Sequence, residues 1–432
     1  MGAILERAQQ LWSGGGDGHP WQALNQLEQV ADGVWFYSFF SNTILFETDD
    51  GLVLIDPGVT NASEQRFQAI RAALDAPLHT AIYTHGHVDH VFGVTYYADE
   101  AGENGWPPPR VVAHEDMPAR FERYRKTAGY NAVINSRQFR GGGTLTPWPV
   151  DYWAPDVTYR DRLELTVGGR RFELRHARGE TDDATWIFAP DSRTLCTGDL
   201  FVWVAPNAGN PQKVQRYAGD WAEALRAMAS REPELLLPGH GPPIVGADRV
   251  RQALGDTAAY LEALERQSIA LMNQGASLDQ LLAEVGPPPE LLDRPYLQPV
   301  YDEPEFIVRN IWRLYGGWYD GQPSHLKPAS EAAQASEIAA LAGGVASLLA
   351  RASELADAGE LRLACHLADW AHHAAPDDPE VRATRGRIYL QRAAAERSTM
   401  AVGIFRATAR DMGVTLEDEP TFRSQQRSRG GA

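Results

Sequence analysis

Thr84-His85-Gly86-His87-Val88-Asp89-His90 sets four potential metal ligands within six positions, directly behind the apolar run Thr80-Ala81-Ile82-Tyr83. His85 and His87 are two residues apart, so an extended backbone projects both to the same side. Asp89 and His90 stand where the chain turns ahead of Val91-Phe92-Gly93-Val94. The arrangement suits two adjacent metal ions, with His85 and His87 on one and Asp89 and His90 on the other. Imidazole with carboxylate is a borderline ligand set that favours zinc, with iron or manganese behind it. Three of the chain's twelve histidines fall in this one heptapeptide, which argues against an ordinary polar turn.

Working outward, Ser41-Asn42-Thr43-Ile44-Leu45-Phe46-Glu47-Thr48 and Gly51-Leu52-Val53-Leu54-Ile55-Asp56-Pro57-Gly58 read as a strand, a turn and a buried strand. Downstream lie Leu195-Cys196-Thr197-Gly198-Asp199 and Leu235-Leu236-Leu237-Pro238-Gly239-His240-Gly241. In this order the motifs resemble those of the metallo-β-lactamase superfamily of binuclear metallohydrolases, whose signature is T-H-x-H-x-D-H. The resemblance implies an α+β fold, an αββα sandwich with ligands on loops along one edge. It implies that Asp56 and Gly58 support the site from beneath, that Asp199 bridges two metals, and that His240 completes the second. The expected cofactor is two zinc ions.

One position departs from the commonest family pattern. Where the family usually carries G-H-T, this chain has Arg178-Gly179-Glu180-Thr181-Asp182-Asp183. Glu180 is acceptable as a ligand, because a carboxylate oxygen binds zinc nearly as well as an imidazole nitrogen. Alkylsulfatases of the superfamily are similar in placing a carboxylate here. The alternative is that His176, Asp182 or Asp183 supplies the ligand and Glu180 supports it.

Composition bounds the rest. A chain of 432 residues is long for one core and points to two domains. Forty basic against fifty-seven acidic residues, net −17, exclude a nucleic-acid surface. Two cysteines, Cys196 and Cys365, leave no disulfide framework or sulfur-rich zinc cluster. The N-terminus lacks the basic and apolar regions of a signal peptide, and no membrane span is read, so the expected location is the cytoplasm. Up to residue 248 short β-rich runs alternate with Gly and Pro. From 249 to 416 apolar residues recur at helical spacing, predicting an all-α domain, and 417–432 is a polar tail expected to fray.

Within the helical half, Ile307, Val308, Ile311 and Leu314 lead into Tyr315-Gly316-Gly317-Trp318-Tyr319-Asp320-Gly321-Gln322-Pro323. This stretch resembles the Y-x-G-W-F-D-G-N-P segment of the alkylsulfatase dimerisation domain, which implies a homodimer. Residues 361–395, with Ala374-Ala375-Pro376-Asp377-Asp378-Pro379-Glu380 between two helices, are similar to that domain's helical pairs; a tetratricopeptide-like pair is the rival reading. The chain departs from that family in having Asp199 where glutamate is usual and a Pro-Gly-His-Gly final loop. It is expected to be a short form without the C-terminal sterol-carrier-like domain.

The resemblance implies a zinc hydrolase of alkyl sulfates or related sulfate esters. The alternative is hydrolysis of a carboxylic ester, thioester or lactone by the same metal chemistry. Two bridged metals lower the pKa of a shared water, and Asp89 is expected to hold the second metal and orient that water. Asn207, Lys213 and Arg216 occupy the region where alkylsulfatases bind the sulfate group, so they are candidate substrate contacts. His114, which follows a strand, is a candidate catalytic residue. The insertion at 115–160, with Phe121, Tyr124, Tyr130, Arg137 and Phe139, is a candidate pocket wall. The expected partner is a small anionic molecule with an apolar part.

Overall fold

The computed structural model describes residues 2–15, 18–139, 145 and 147–414. The polar tail at 417–432 lies outside the described residues. Among the described residues, thirteen strands form two sheets. The first holds β1 (Gln26–Ala31), β2 (Val34–Ser38), β3 (Thr43–Thr48), β4 (Gly51–Ile55), β5 (Leu78–Ile82), β6 (Arg110–His114) and β7 (Val157–Tyr159), side by side in that order. The second runs β13-β12-β11-β10-β9-β8, from β8 (Arg162–Val167), β9 (Arg170–Ala177), β10 (Ala184–Ala189), β11 (Thr194–Gly198), β12 (Leu235–Pro238) and β13 (Ile244–Val245). β4 through β7 pair in parallel, as do β11 and β12, while the remaining neighbours are antiparallel.

Alternation along the strands dictates the layers. Val53, Ile55, Ile82 and Val112 of the first sheet meet Phe172, Leu174, Ile187, Cys196 and Leu237 of the second in one apolar core. Their neighbours face the other way: Leu52, Leu54, Ala81 and Val111 pack under Ile70, Val94, Tyr97, Met117 and Phe121 from the helices Ser63–Arg71, Val94–Asn104 and Met117–Lys126. Trp186, Phe188 and Leu195 carry the helices Ala218–Ala229 and Ala247–Asn273 on the opposite outer face. The result is the expected helix–sheet–sheet–helix sandwich.

The compact units divide elsewhere than at residue 248. One unit comprises residues 1–128 and 148–317, the other 129–147 and 318–432. Helical periodicity after 248 reveals an apolar stripe but not its partner. Here Leu254, Leu261, Leu264, Ile307, Val308 and Ile311 bury that stripe in the same core as Trp221 and Leu225. The helices Ala247–Asn273 and Pro304–Gly316 therefore belong to the unit containing the sheets.

The second unit is built from Glu331–Leu341, Val345–Asp357, Leu361–Ala374, Pro379–Ala394 and Thr399–Asp411. Small side chains, Ala352, Ala364 and Ala368, let these helices approach closely around Ile388. The turn flagged in the sequence is an N-terminal cap: Asp378 accepts the backbone N–H groups of Glu380 and Val381, with Pro379 in the first helical turn. Among the described residues no single helix is long and apolar enough to cross a membrane.

Candidate metal centre

Four of the segments singled out in the sequence end at one edge of the sandwich. β4 delivers Asp56, β5 the loop 84–90, β11 Asp199 and β12 His240, while Glu180 lies on the connection between β9 and β10. Two trios of ligand atoms result, His85 with His87 and Asp199, and Asp89 with His90 and His240. Asp199 faces both. Its Oδ2 lies 3.6 Å from His85 Nε2 and 3.4 Å from His240 Nε2, and its Oδ1 lies 3.4 Å from His90 Nε2. Asp89 Oδ2 is 3.6 Å from His90 Nε2 and 3.5 Å from His240 Nε2.

The outer ring nitrogens explain which atoms converge. Asp56, in the left-handed region at φ 54°, accepts Thr84 N–H and Thr84 Oγ1–H at 2.7 Å each and engages His90 Nδ1 at 2.8 Å. His85 Nδ1 lies 3.0 Å from Thr84 Oγ1, and His240 Nδ1 bonds the Phe40 carbonyl. With these nitrogens held, each Nε2 points inward. His87 instead presents Nδ1, 2.8 Å from His85 Nε2. Gly58 is required beneath: at φ 104° any Cβ would strike the guanidinium of buried Arg66, which donates to the Pro57 carbonyl.

The electrostatics call for positive charge. Burial lowers the pKa of the His85 imidazole to about 3, aided by the charge of His90, and drives His87 well below the ordinary value. Burial acts the same way on His90, but Asp199, Asp89 and Asp56 overcome it and raise its pKa to about 10. His240 is likewise raised against burial by Asp199. Inside this cluster His90 Nε2 and Asp199 Oδ1 are buried atoms without a hydrogen-bond partner. Converging carboxylates, inward imidazole nitrogens and orphaned buried donor atoms together fit a pair of divalent transition ions.

Glu180 stands beside the first trio, its Oε1 3.7 Å from His87 Nδ1. The same oxygen accepts from Asn207 Nδ2 and from Arg216 Nη1, each at 2.7 Å. Burial raises the Glu180 pKa, and Arg216 opposes it. The alternative ligands are directed elsewhere. His176 Nε2 bonds the Asp182 carbonyl at 2.9 Å, and Asp182 pairs with Arg120. Asp183, fully buried, accepts the Gly86 N–H at 3.0 Å and forms an ion pair with Arg120, Nε to Oδ1 2.9 Å.

The candidate substrate contacts are buried and already engaged. Asn207 and Arg216 meet Glu180 instead of an open cleft, and Arg216 also donates to the Asn207 carbonyl at 2.6 Å. Lys213 lies 5.2 Å above the Trp148 ring. Burial, with Arg216, lowers its pKa to about 7 against the pull of Glu180 and Asp89. His114 is a correction: its ring stacks on His176 at 3.8 Å, and both nitrogens are spent on backbone. Nε2 bonds the Arg160 carbonyl at 2.8 Å, and Nδ1 accepts the Asp116 N–H at 3.2 Å. A histidine so satisfied is structural. Phe121 and Tyr124 are core residues, with Phe121 stacked on Tyr152 at 4.1 Å, whereas Tyr130, Arg137 and Phe139 belong to the second unit.

Sequence reasoning missed the segment before β1. Trp21 stacks on the His240 ring at 4.6 Å, packs against Tyr301 at 4.7 Å, and donates its indole N–H to the Val202 carbonyl. No local motif marks it, because Val202, His240 and Tyr301 are all far away in the chain.

Residues 37–240 match the family model of the metallo-β-lactamase superfamily, and residues 277–413 match that of alkyl sulfatase dimerisation. The chain thus joins a metallo-β-lactamase superfamily domain to an alkylsulfatase dimerisation domain. It is similar to a linear primary-alkylsulfatase of a Pseudomonas strain, 26% identical over 367 residues, which cover 80% of this chain and 69% of that protein. An (R)-specific secondary-alkylsulfatase of a Pseudomonas species is 28% identical over 375 residues, covering 79% of this chain and 55% of the relative. Against that second protein the chain spans little more than half the length. The solved stereoselective inverting sec-alkylsulfatase Pisa1 from a Pseudomonas species shares the fold, with TM-score 0.79 and 23% identity over 91% of this chain and 67% of that one.

Proposed function

We propose that this protein is a binuclear zinc hydrolase of alkyl sulfates or related sulfate esters. The observation that carries the reading is the Glu180 carboxylate beside His87, flanked by Asn207 and Arg216. His85, His87, Glu180 and Asp199 would hold one ion, and Asp89, His90, His240 and Asp199 the other. Bound zinc would lower the pKa of a water toward neutrality and offset charge on a sulfate oxygen. Asp89, more exposed than the shared Asp199 at 19% against 8%, is suited to accept a proton or hydrogen bond from that water. Arg216 and Asn207 supply donors that a sulfate group would share with Glu180. The names of the relatives support this substrate class.

The test is sulfate release from a medium-chain alkyl sulfate, abolished by a chelator and restored by zinc. Cleavage of carboxylic esters, thioesters or lactones without any sulfate release would replace this reading with the other hydrolase class. We further propose a homodimer formed by the second unit, supported by the dimerisation match and by exposed Trp318 (70%) and Leu341 (88%). Light scattering should give about twice the 47.6 kDa chain mass, and Trp318→Asp should halve it; a wild-type monomer would refute the assembly.

A further inference from the structure

The segment linking Ala205 to Tyr217 carries Asn207, Lys213 and Arg216, yet it has no regular secondary structure of its own. Its shape is imposed from outside. Asp302, fully buried, accepts Gly209 N–H at 2.6 Å and Asn210 N–H at 3.2 Å through Oδ2, and Glu303 N–H at 2.7 Å through Oδ1. Asn310, on the helix Pro304–Gly316, donates through one Nδ2 to two carbonyls, Ala208 at 2.8 Å and Arg216 at 2.9 Å. These are the two ends of the loop's functional stretch. Gln215 reinforces the closure by donating to the Arg216 and Asn310 carbonyls, and Arg313 bonds both Gln215 Oε1 and Asn310 Oδ1 at 2.9 Å. The loop backbone touches the helix backbone at Gly209, where a Cβ would stand 2.4 Å from Ile307 N.

We propose that Asp302 and Asn310 are positioning residues for the metal centre, a polar clamp that holds Asn207 and Arg216 against Glu180. This deepens the sulfate-ester reading and rests on it. The logic is geometric. Asn207 Nδ2 and Arg216 Nη1 converge on a single oxygen at 2.7 Å each, from positions nine residues apart on an irregular loop. Convergence of that kind requires both loop ends to be fixed, and Asn310 holds a carbonyl at each. Asp302 is suited to its part because clustered backbone N–H groups bind a carboxylate strongly where water is excluded. The clamp lies outside the stretch matching the metallo-β-lactamase family, at 37–240, and inside the stretch matching the dimerisation family, at 277–413. Part of the latter therefore serves the site of the unit it packs into.

The experiment uses the full-length protein with Asp302→Ala, the milder Asp302→Asn, and Asn310→Leu. Three readouts are taken: amide exchange at Gly209 and Asn210, kinetics with decyl sulfate, and thermal unfolding of the chelated protein with and without Glu180→Gln. The expected result is exchange at least tenfold faster for the Asp302 variants. For Asn310→Leu, KM for decyl sulfate rises about tenfold with kcat within about threefold. Glu180→Gln, which lowers the melting temperature in the wild-type background, has less than half that effect once the clamp is cut. Faster exchange with unchanged KM and an undiminished Glu180→Gln effect would overturn the proposal. If the wild type releases no sulfate from any alkyl sulfate, the substrate reading fails, and the unfolding comparison alone decides the clamp.

Discussion

Arg120 and Asp183 make an ion pair whose disruption has a calculable consequence. Both side chains are buried, Asp183 completely, and Arg120 Nε lies 2.9 Å from Asp183 Oδ1. The other carboxylate oxygen accepts Gly86 N–H, so the pair ties the His85–His87 segment to the loop carrying Glu180. Arg120→Met keeps much of the side-chain volume and strands a buried carboxylate, a change that costs about 3–5 kcal/mol. For a unit of about 300 residues, unfolding entropy near 2.1 cal/mol/K per residue converts this to a fall in melting temperature of roughly 5–8 °C. Arg120→Met/Asp183→Leu removes both charges and should recover part of that loss. About 1–3 kcal/mol remains missing, because Gly86 N–H then has no acceptor. Sign and pH follow as well. Burial works to raise the Asp183 pKa, but Arg120 and His85 win and hold it below the ordinary value, so the wild-type pair stabilises above that value and fades in acid. Without Arg120 the carboxyl protonates readily, and the deficit should shrink as pH falls. Calorimetry of chelated protein at several pH values measures all of this. A single variant melting within 1 °C of wild type, or a double variant whose loss equals the sum of its singles, would refute the reasoning.

On the proposed two-zinc reading, Asp199→Asn should lower bound zinc to below one ion per chain by elemental analysis, since this acid faces both trios; a value still near two would remove its shared role. Trp21→Leu loses the stack on His240 and its indole hydrogen bond, and should destabilise by about 2 kcal/mol in thermal melts; no change would mean the segment is ornamental. Burial, then the charge of His240, lowers the His19 pKa to about 4, so the unfolded chain binds that proton more tightly between pH 6.5 and 4. Stability therefore drops as pH falls through this window, by about 3 kcal/mol at most, and His19→Gln should flatten the decline. Parallel pH–stability slopes for variant and wild type would contradict that assignment.

The parts legible in the sequence share one property: their partners are local or their residue types are rare. His85, His87, Asp89 and His90 fall in one turn, and Asp199 and His240 each end an apolar strand, so spacing and order identify them. The two sheets follow from short apolar runs that are buried throughout, Gly51–Ile55 and Ala184–Ala189, and from alternation at period two in Arg162–Val167. His114 misled because a histidine after a strand looks the same whether its nitrogens face a cleft or, as here, two backbone groups. The boundary at 248 separates the two family matches, 37–240 and 277–413, but not the compact units, because an amphipathic helix announces a face to bury without saying against what. Trp21 was silent for a related reason, since its indole acceptor stands 181 residues away.

Buried arginine marks what was legible only in three dimensions. Arg66 holds the Pro57 carbonyl beneath the first loop, Arg120 holds Asp183 behind Gly86, and Arg216 holds Glu180. Each guanidinium is tied to a different segment that converges on the ligand cluster, and each is 4% exposed or less. An arginine so deeply buried is expensive unless its partners are fixed, so each one makes the local backbone geometry an all-or-nothing matter. A site built from acids that repel one another needs that restraint before any cation arrives. Net charge read from composition is strongly negative and hides it, because the three compensating positives are neither clustered in sequence nor visible at the surface. The ligand motif says which atoms meet a cation; the buried arginines account for those atoms being held in place.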